Sequence, residues 1–319
     1  MSSLRAKAMR AVTSAWFRSV NAEKADVHRM RTVWHALANT LWTARGVDVR
    51  RTEFAGMRSE WLTPPAPAAG KVMLYLHGGA YVFGNCATHR QLVSYIARAC
   101  GVSALVVEYR LAPEHPVPAA IEDSLAAYRA LRDEGYAPGD ILVAGDSAGG
   151  GLVMALLLSL RDAGEEMPAG GLMFSPWLDL TASGESMTTR AKRDPWFKPP
   201  DMPIIASYYC KEKEYRDPLV SPVFADVTGL PPVYIQVGDD EILLSDSTRI
   251  AENIEAARGD VTLEIWPDMF HVFQVFVHQM PESREAIDKL VPFVQSRLGR
   301  TELSEAGLLL RVVVHLRQE

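Results

Sequence analysis

The feature that most constrains this chain is a repeated alternation between short apolar runs and longer amphipathic ones. Residues 72–76, 103–108, 141–144, 171–174, 233–237 and 261–265 are short and apolar, the pattern of strands buried on both faces. Residues 88–100, 117–134, 148–162, 244–258 and 283–298 carry apolar side chains at helical spacing. Parallel strands need long crossover connections, and helices supply them. The chain is therefore expected to be α/β, with a mostly parallel central sheet flanked by helices on both faces. Residues 47–54 and 57–62 read as two earlier strands, followed by the Pro-rich turn TPPAPAAG at 63–70.

Two stretches break the rhythm. Residues 1–45 read as two helices, over 3–18 and 23–43, with Trp16, Phe17, Val33, Trp34, Leu37 and Leu41 spaced for one apolar face. Residues 181–230 hold no strand pattern but contain DPWFKPPDM and YRDPLVSPVFAD, which read as a helical insertion between strands. The two stretches are expected to meet over the C-terminal edge of the sheet, where open α/β sheets place their ligands. The division expected is 1–45 as N-terminal cap helices, 46–183 and 219–300 as the two parts of the core, 184–218 as a cap insertion, and 301–319 as a C-terminal extension.

The strand at 141–144 runs into Gly145-Asp146-Ser147-Ala148-Gly149, and an apolar helix follows. This is G-x-S-x-G between a strand and a helix. A serine in that turn projects off the sheet top, and glycines on either side let strand and helix approach without Cβ clashes. The pentapeptide alone would also fit a Gly-rich turn with no chemistry. The strand before it and the helix after it favour a nucleophile at Ser147.

The strand at 72–76 runs into His77-Gly78-Gly79-Ala80-Tyr81. Acyl transfer develops negative charge on a carbonyl oxygen, and fixed backbone N–H groups stabilise it. Adjacent glycines let the backbone come close enough to donate. Gly78, Gly79 and Ala148 are the donors expected, with His77 orienting the loop.

Downstream of Ser147 the histidines are His271, His278 and His315. His271 follows the strand at 261–265 and so lies on a loop at the same sheet edge, where a base is needed. His278 reads as part of a helix and His315 as part of the tail. The strand at 233–237 ends in Gly238-Asp239-Asp240-Glu241, also at that edge. Two aspartates compete there for the acid that orients the base, with Asp239 or Glu241 also suited to capping a helix. Asp246 and Asp268 rank lower.

Composition excludes several classes. A formal charge of −6 with no basic stripe argues against nucleic acid as a partner. The longest apolar run, 152–158, is far short of the ~20 residues of a membrane span. The N-terminus has no continuous apolar core of a signal peptide. Cys86, Cys100 and Cys210 are too widely spaced for a disulfide framework or a metal site, so a reducing cytoplasm is expected, with no metal and no organic cofactor.

Several segments together resemble one family. HGGAYVFG, VEYRLAPEHPVPAAIED, GDSAGGGL, FSPWLDL, SPVFADVTGLPPVYIQVGDDEILLSDS and VTLEIWPDMFHVF are similar to the bacterial hormone-sensitive lipase family of esterases, from about Thr63 to Leu298. Short-chain esterases and ε-lactone hydrolases with the GDSAG variant are the most similar members. The resemblance implies an α/β-hydrolase fold with a helical cap and a carboxylic ester hydrolase working through an acyl-enzyme. It implies Ser147 and His271 as nucleophile and base, and it puts the acid on Asp240. The YRLAPE segment at 109–114 would brace the strand end. Substrates would be small short- to medium-chain acyl esters, with Tyr81, Trp196, Phe197 and Tyr208 as candidate pocket walls. Lactones or amides would suit the same triad, and a ligand receptor that has lost catalysis would keep the same scaffold. A homodimer stays open. Phe270 and Phe273 are bulkier than the family pattern and would narrow the site, while the apolar run 308–314 extends past the usual last helix.

Overall fold

The computed structural model describes residues 2–19, 26–38 and 42–299. His315, the extension 301–319 and the expected stripe position Leu41 lie outside the described residues, as does the side chain of Leu37. The strands are β1 (Asp48–Phe54), β2 (Met57–Thr63), β3 (Val72–Leu76), β4 (Ser103–Val107), β5 (Ile141–Asp146), β6 (Gly170–Phe174), β7 (Val233–Gly238) and β8 (Val261–Trp266). They form a single eight-stranded sheet in the order β1-β2-β4-β3-β5-β6-β7-β8. β1 and β2 form an antiparallel hairpin, and β2 pairs antiparallel with β4. Every pairing from β4 across to β8 is parallel.

β3, β5, β6 and β7 are buried along their whole length, which is why they read as continuous apolar runs rather than alternations. The crossover helices are α3 (Cys86–Cys100), α4 (Ala119–Asp133), α5 (Ala148–Asp162) and α8 (Leu244–Ala256), and α9 (Pro281–Leu298) follows the last strand. Leu105, Val143, Ile235 and Leu156 belong to the core on one face of the sheet. Met73, Ala144, Leu172 and Ile96 belong to the core on the other. Adjacent strand residues thus divide between two cores, as the pleat requires.

At the N-terminus lie α1 (Leu4–Ser19) and α2 (Val27–Ala38), and between β6 and β7 lie α6 (Ser186–Thr189) and α7 (Met202–Tyr209) with several 3₁₀ turns. The two stretches meet: the ring of Phe17 lies 4.3 Å from that of Trp196, and Arg10 Nη2 donates to the Arg193 carbonyl at 2.6 Å. His278 is not in a helix. It follows a 3₁₀ turn at Phe273–Phe276, and its ring faces Tyr95, whose hydroxyl is 3.2 Å from Nε2. No described helix is long and apolar enough to cross a membrane.

Candidate active site

Ser147 sits between β5 and α5 with φ 52°, ψ −121°, a left-handed backbone that a serine adopts only when its surroundings force it. The force is close packing. A Cβ on Gly149 would stand 2.0 Å from the Leu76 carbonyl oxygen, and one on Gly145 would stand 2.5 Å from the Gly149 carbonyl oxygen. Ser147 N–H donates to Phe174 O at 2.8 Å, and its own carbonyl accepts from Trp177 N–H at 2.9 Å, so the turn is tied to β6 and the loop beyond it.

The Ser147 Oγ lies 3.0 Å from Nε2 of His271, and Nδ1 of His271 donates to Oε2 of Glu241 at 3.0 Å. All three residues are buried and all three stand at the carboxyl end of the sheet. The expectation of Asp240 as the acid is therefore corrected. Its side chain is taken by Arg10 of α1 and by Arg193 of the insertion. Asp239 pairs with Arg190 at 2.9 Å. The backbone explains the choice: Asp239 N–H donates to Trp266 O and Asp240 N–H to Met269 O, both at 2.9 Å, which swings the chain so that the third acidic residue faces the imidazole. The other Glu241 oxygen, Oε1, accepts from Gly238 N–H at 2.5 Å and from Ser175 Oγ at 2.7 Å. Both oxygens are thus committed, and the carboxylate holds one orientation.

Neither lower-ranked aspartate reaches His271 by a hydrogen bond. Asp246 is wholly buried and accepts from the Leu178 and Asp179 N–H groups at 2.8 and 2.9 Å; burial and the nearby Asp179 charge push its carboxyl well up. Asp268 accepts from Ser2 N–H at 3.1 Å.

The glycine loop also departs from expectation. Gly78 N–H is occupied, donating to Asp146 Oδ1 at 3.0 Å. Gly78 is therefore corrected from oxyanion donor to loop anchor. A Cβ there would lie 2.1 Å from Asp146 Oδ2. Asp146 also accepts from Tyr75 Oη at 2.8 Å and lies 3.3 Å from His89 Nε2. Burial pushes this carboxyl up, but the His89 charge and the three hydrogen bonds outweigh it and hold it below the usual range. Gly79, Ala80 and Tyr81 all have positive φ, and the N–H groups of Gly79, Ala80 and Ala148 donate to no acceptor among the described residues. His77 stacks on Tyr109 at 4.2 Å and donates from Nδ1 to Gly78 O at 2.9 Å, which holds the loop. In YRLAPE, Tyr109 Oη donates to His77 O at 2.6 Å and Arg110 binds Asp123 at 2.8 Å.

Of the expected walls, Trp196 and Phe197 stand edge-on to His271, at 5.8 and 4.8 Å between ring centres. They share a cleft of about 470 Å³ with residues 191, 192, 194, 195 and 198. Asp194 places both: its Oδ1 accepts from Trp196 N–H at 2.7 Å and Phe197 N–H at 3.0 Å, while Oδ2 accepts from Ile242 N–H at 2.8 Å, next to Glu241. Tyr81 is buried and stacks at 3.8 Å on Tyr209, the neighbour of the expected Tyr208. Tyr208 is half-buried against the main core. Phe270 and Phe273 do not narrow the site; both are fully buried in a third cluster with Ala6 of α1 and Trp266. Among the described residues no cluster suits a metal ion, and the three cysteines are free and buried.

Sequence reasoning missed Glu241, Ala80, Ser175 and Asp194. Glu241 was visible as the last residue of an acidic run at the right strand end. Nothing local marked the other three.

Comparison with known proteins identifies the family. A family model described as the alpha/beta hydrolase fold matches residues 73–275. An acetyl-hydrolase of Streptomyces hygroscopicus is 43% identical over 241 residues, 76% of this chain and 80% of that one. An esterase of Acinetobacter venetianus is 38% identical over 78% of this chain and 82% of its own. A crystal structure of an esterase from the bacterial hormone-sensitive lipase family superposes with a TM-score of 0.89 at 39% identity, covering 94% of this chain and all of that one. The structure of EstE5 soaked with p-nitrophenyl butyrate gives 0.87 at 39% identity, with the same coverage of both chains.

Proposed function

The chain belongs to the bacterial hormone-sensitive lipase family of α/β-hydrolase-fold esterases and is a carboxylesterase, and from that premise we propose that Ser147, His271 and Glu241 carry its chemistry. The observation that carries the proposal is the unbroken chain of 3.0 Å contacts from Ser147 Oγ through the imidazole to Glu241.

Ser147 Oγ attacks the ester carbonyl carbon as its proton passes to His271 Nε2. Glu241 keeps Nδ1 protonated, so Nε2 is the free base, and its charge stabilises the imidazolium that forms. The carbonyl oxygen becomes an oxyanion held by the N–H groups of Gly79, Ala80 and Ala148, none of which has an acceptor among the described residues. The tetrahedral species collapses, the alkoxide takes the proton from Nε2 and leaves as alcohol, and the acyl group stays on Oγ. Water then gives a proton to Nε2 and attacks the acyl carbon. Collapse frees the carboxylic acid and returns the proton to Oγ.

The substrates proposed are small esters with short to medium acyl chains. The names of the acetyl-hydrolase and esterase relatives support this. So does the filling of the space beside α5: a Cβ on Gly151 would stand 2.3 Å from Tyr81 Oη, leaving no slot there for a long chain. The buried free cysteines favour a reducing cytoplasm. A panel of p-nitrophenyl esters of rising acyl length, with a lactone and an anilide beside it, tests the reading. Turnover should peak at short to medium chains. Preference for long-chain emulsions, or for the anilide, would overturn it. Fluorophosphonate labelling at a residue other than Ser147 would overturn the nucleophile.

A further inference from the structure

Helix α1 is amphipathic in an unusual sense, because apolar side chains lie on both of its faces. Ala6 and Met9 pack inward, in the cluster with Phe270 and Phe273 beside His271, and Arg10 on the same side binds Asp240. Leu4, Ala8, Ala11, Val12 and Ala15 recur three and four residues apart, share the opposite face, and are all exposed. Leu4 is 83% exposed and Val12 62%, and Trp16, one turn beyond Val12, is 46% exposed. A contiguous apolar stripe turned to solvent marks an interaction surface rather than ordinary surface scatter.

Charge indicates what covers it. α1 carries Arg5, Lys7, Arg10 and Arg18 and not one acidic residue. The whole protein has a net charge of −6. Arg5 and Lys7 are exposed and form no ion pair among the described residues. A basic, apolar helix face on an acidic protein is complementary to an anionic lipid surface, where apolar side chains enter the acyl boundary and cations meet headgroups. In a two-fold dimer the same basic face would meet its own copy, where like charges repel. We propose that the outer face of α1 docks this enzyme on anionic bilayers. The inner face of the same helix lies on the histidine loop, so docking brings the cap and the cleft beside Trp196 to the membrane, where apolar esters concentrate.

The proposal is independent of the triad assignment, and Ser147→Ala protein should bind vesicles as the wild type does. The test is sedimentation of the full chain with vesicles of phosphatidylcholine alone and of phosphatidylcholine mixed with phosphatidylglycerol, at low and high salt. The mixed vesicles should pellet the protein, and the neutral ones should not. Salt should weaken binding. The R5E/K7E variant should bind at least about 25-fold more weakly, at roughly fivefold for each of the two cations lost. The L4E/V12E variant should lose binding while hydrolysing a water-soluble ester at the wild-type rate, since neither side chain faces the site. Failure to pellet with the mixed vesicles overturns the proposal, and so does equal binding by L4E/V12E. A dimer seen by light scattering that L4E/V12E dissociates, without vesicle binding, would assign the face to a second copy and equally overturn it.

Discussion

Nδ1 of His271 donates to Oε2 of Glu241 at 3.0 Å, although Asp240 stands one residue closer to the strand. Asp240 is held instead by Arg10 and Arg193, one from each segment that covers the site. Under the proposed mechanism, adjacent acidic residues thus face different tasks: Glu241 orients the base and Asp240 ties down the cover.

The variants separate these tasks. Ser147→Ala should lower kcat by on the order of 10⁶, with His271→Ala nearly as damaging and the double variant little worse. Glu241→Gln should cost about 10⁴ in kcat. Asp240→Asn should cost far less. Steady-state kinetics on a p-nitrophenyl ester decide it; a larger kcat loss for Asp240→Asn than for Glu241→Gln would return the acid to Asp240.

Asp240→Asn should show in stability rather than chemistry. The aspartate side chain is 5% exposed, but Arg10 and Arg193 are 26% and 46% exposed, so water screens part of the pairing. A loss of about 2 kcal/mol is expected, seen as a lower Tm and shrinking in high salt. An unchanged Tm at low salt would remove the latch role.

Asp194 predicts a pH effect. Burial pushes its carboxyl up to about 6, against three backbone N–H donors and the His271 charge. The unfolded value is about 3.9. The folded state therefore holds this proton more tightly, so its contribution to stability is full below about pH 4 and is lost as pH rises to about 6. The loss is up to about 3 kcal/mol. Denaturant titrations of wild type and Asp194→Asn across that window should give a difference that shifts against the wild type as pH rises, then levels off. A constant difference from pH 4 to 7 would contradict the raised value.

Gly149→Ala should be among the most damaging small changes in the molecule. Its Cβ would meet backbone oxygens of Leu76 at 2.0 Å and His77 at 2.7 Å, and no side chain can yield there. About 3 kcal/mol of stability should go, with activity falling too as the Ser147 turn opens. Gly139→Ala, with nothing within 4 Å, is the matched control and should be silent in Tm.

Periodicity alone determined the strand and helix order here. β3 and α5 match their expected bounds, and the ends of the other strands and of the helices between and after them move by a residue or two, because buried strands and amphipathic helices each leave a local pattern; the helix expected over 23–43 is instead Val27–Ala38. Ser147 and His271 were readable for the same reason: each follows a recognisable strand end. What local pattern could not reveal was the choice among neighbours of like chemistry. Three acidic residues follow β7, and hydrogen bonds from Asp239 and Asp240 to Trp266 and Met269 turn the third toward the base. Two glycines follow His77, and Asp146, distant in the chain, takes the first one's N–H out of use. Ser175 and Asp194 reach Glu241 and Ile242 across 66 and 48 positions of chain. A period is a property of consecutive residues, but the partner of one particular oxygen or N–H is set by whatever the folded chain brings within 3 Å, and that exists only in the tertiary structure.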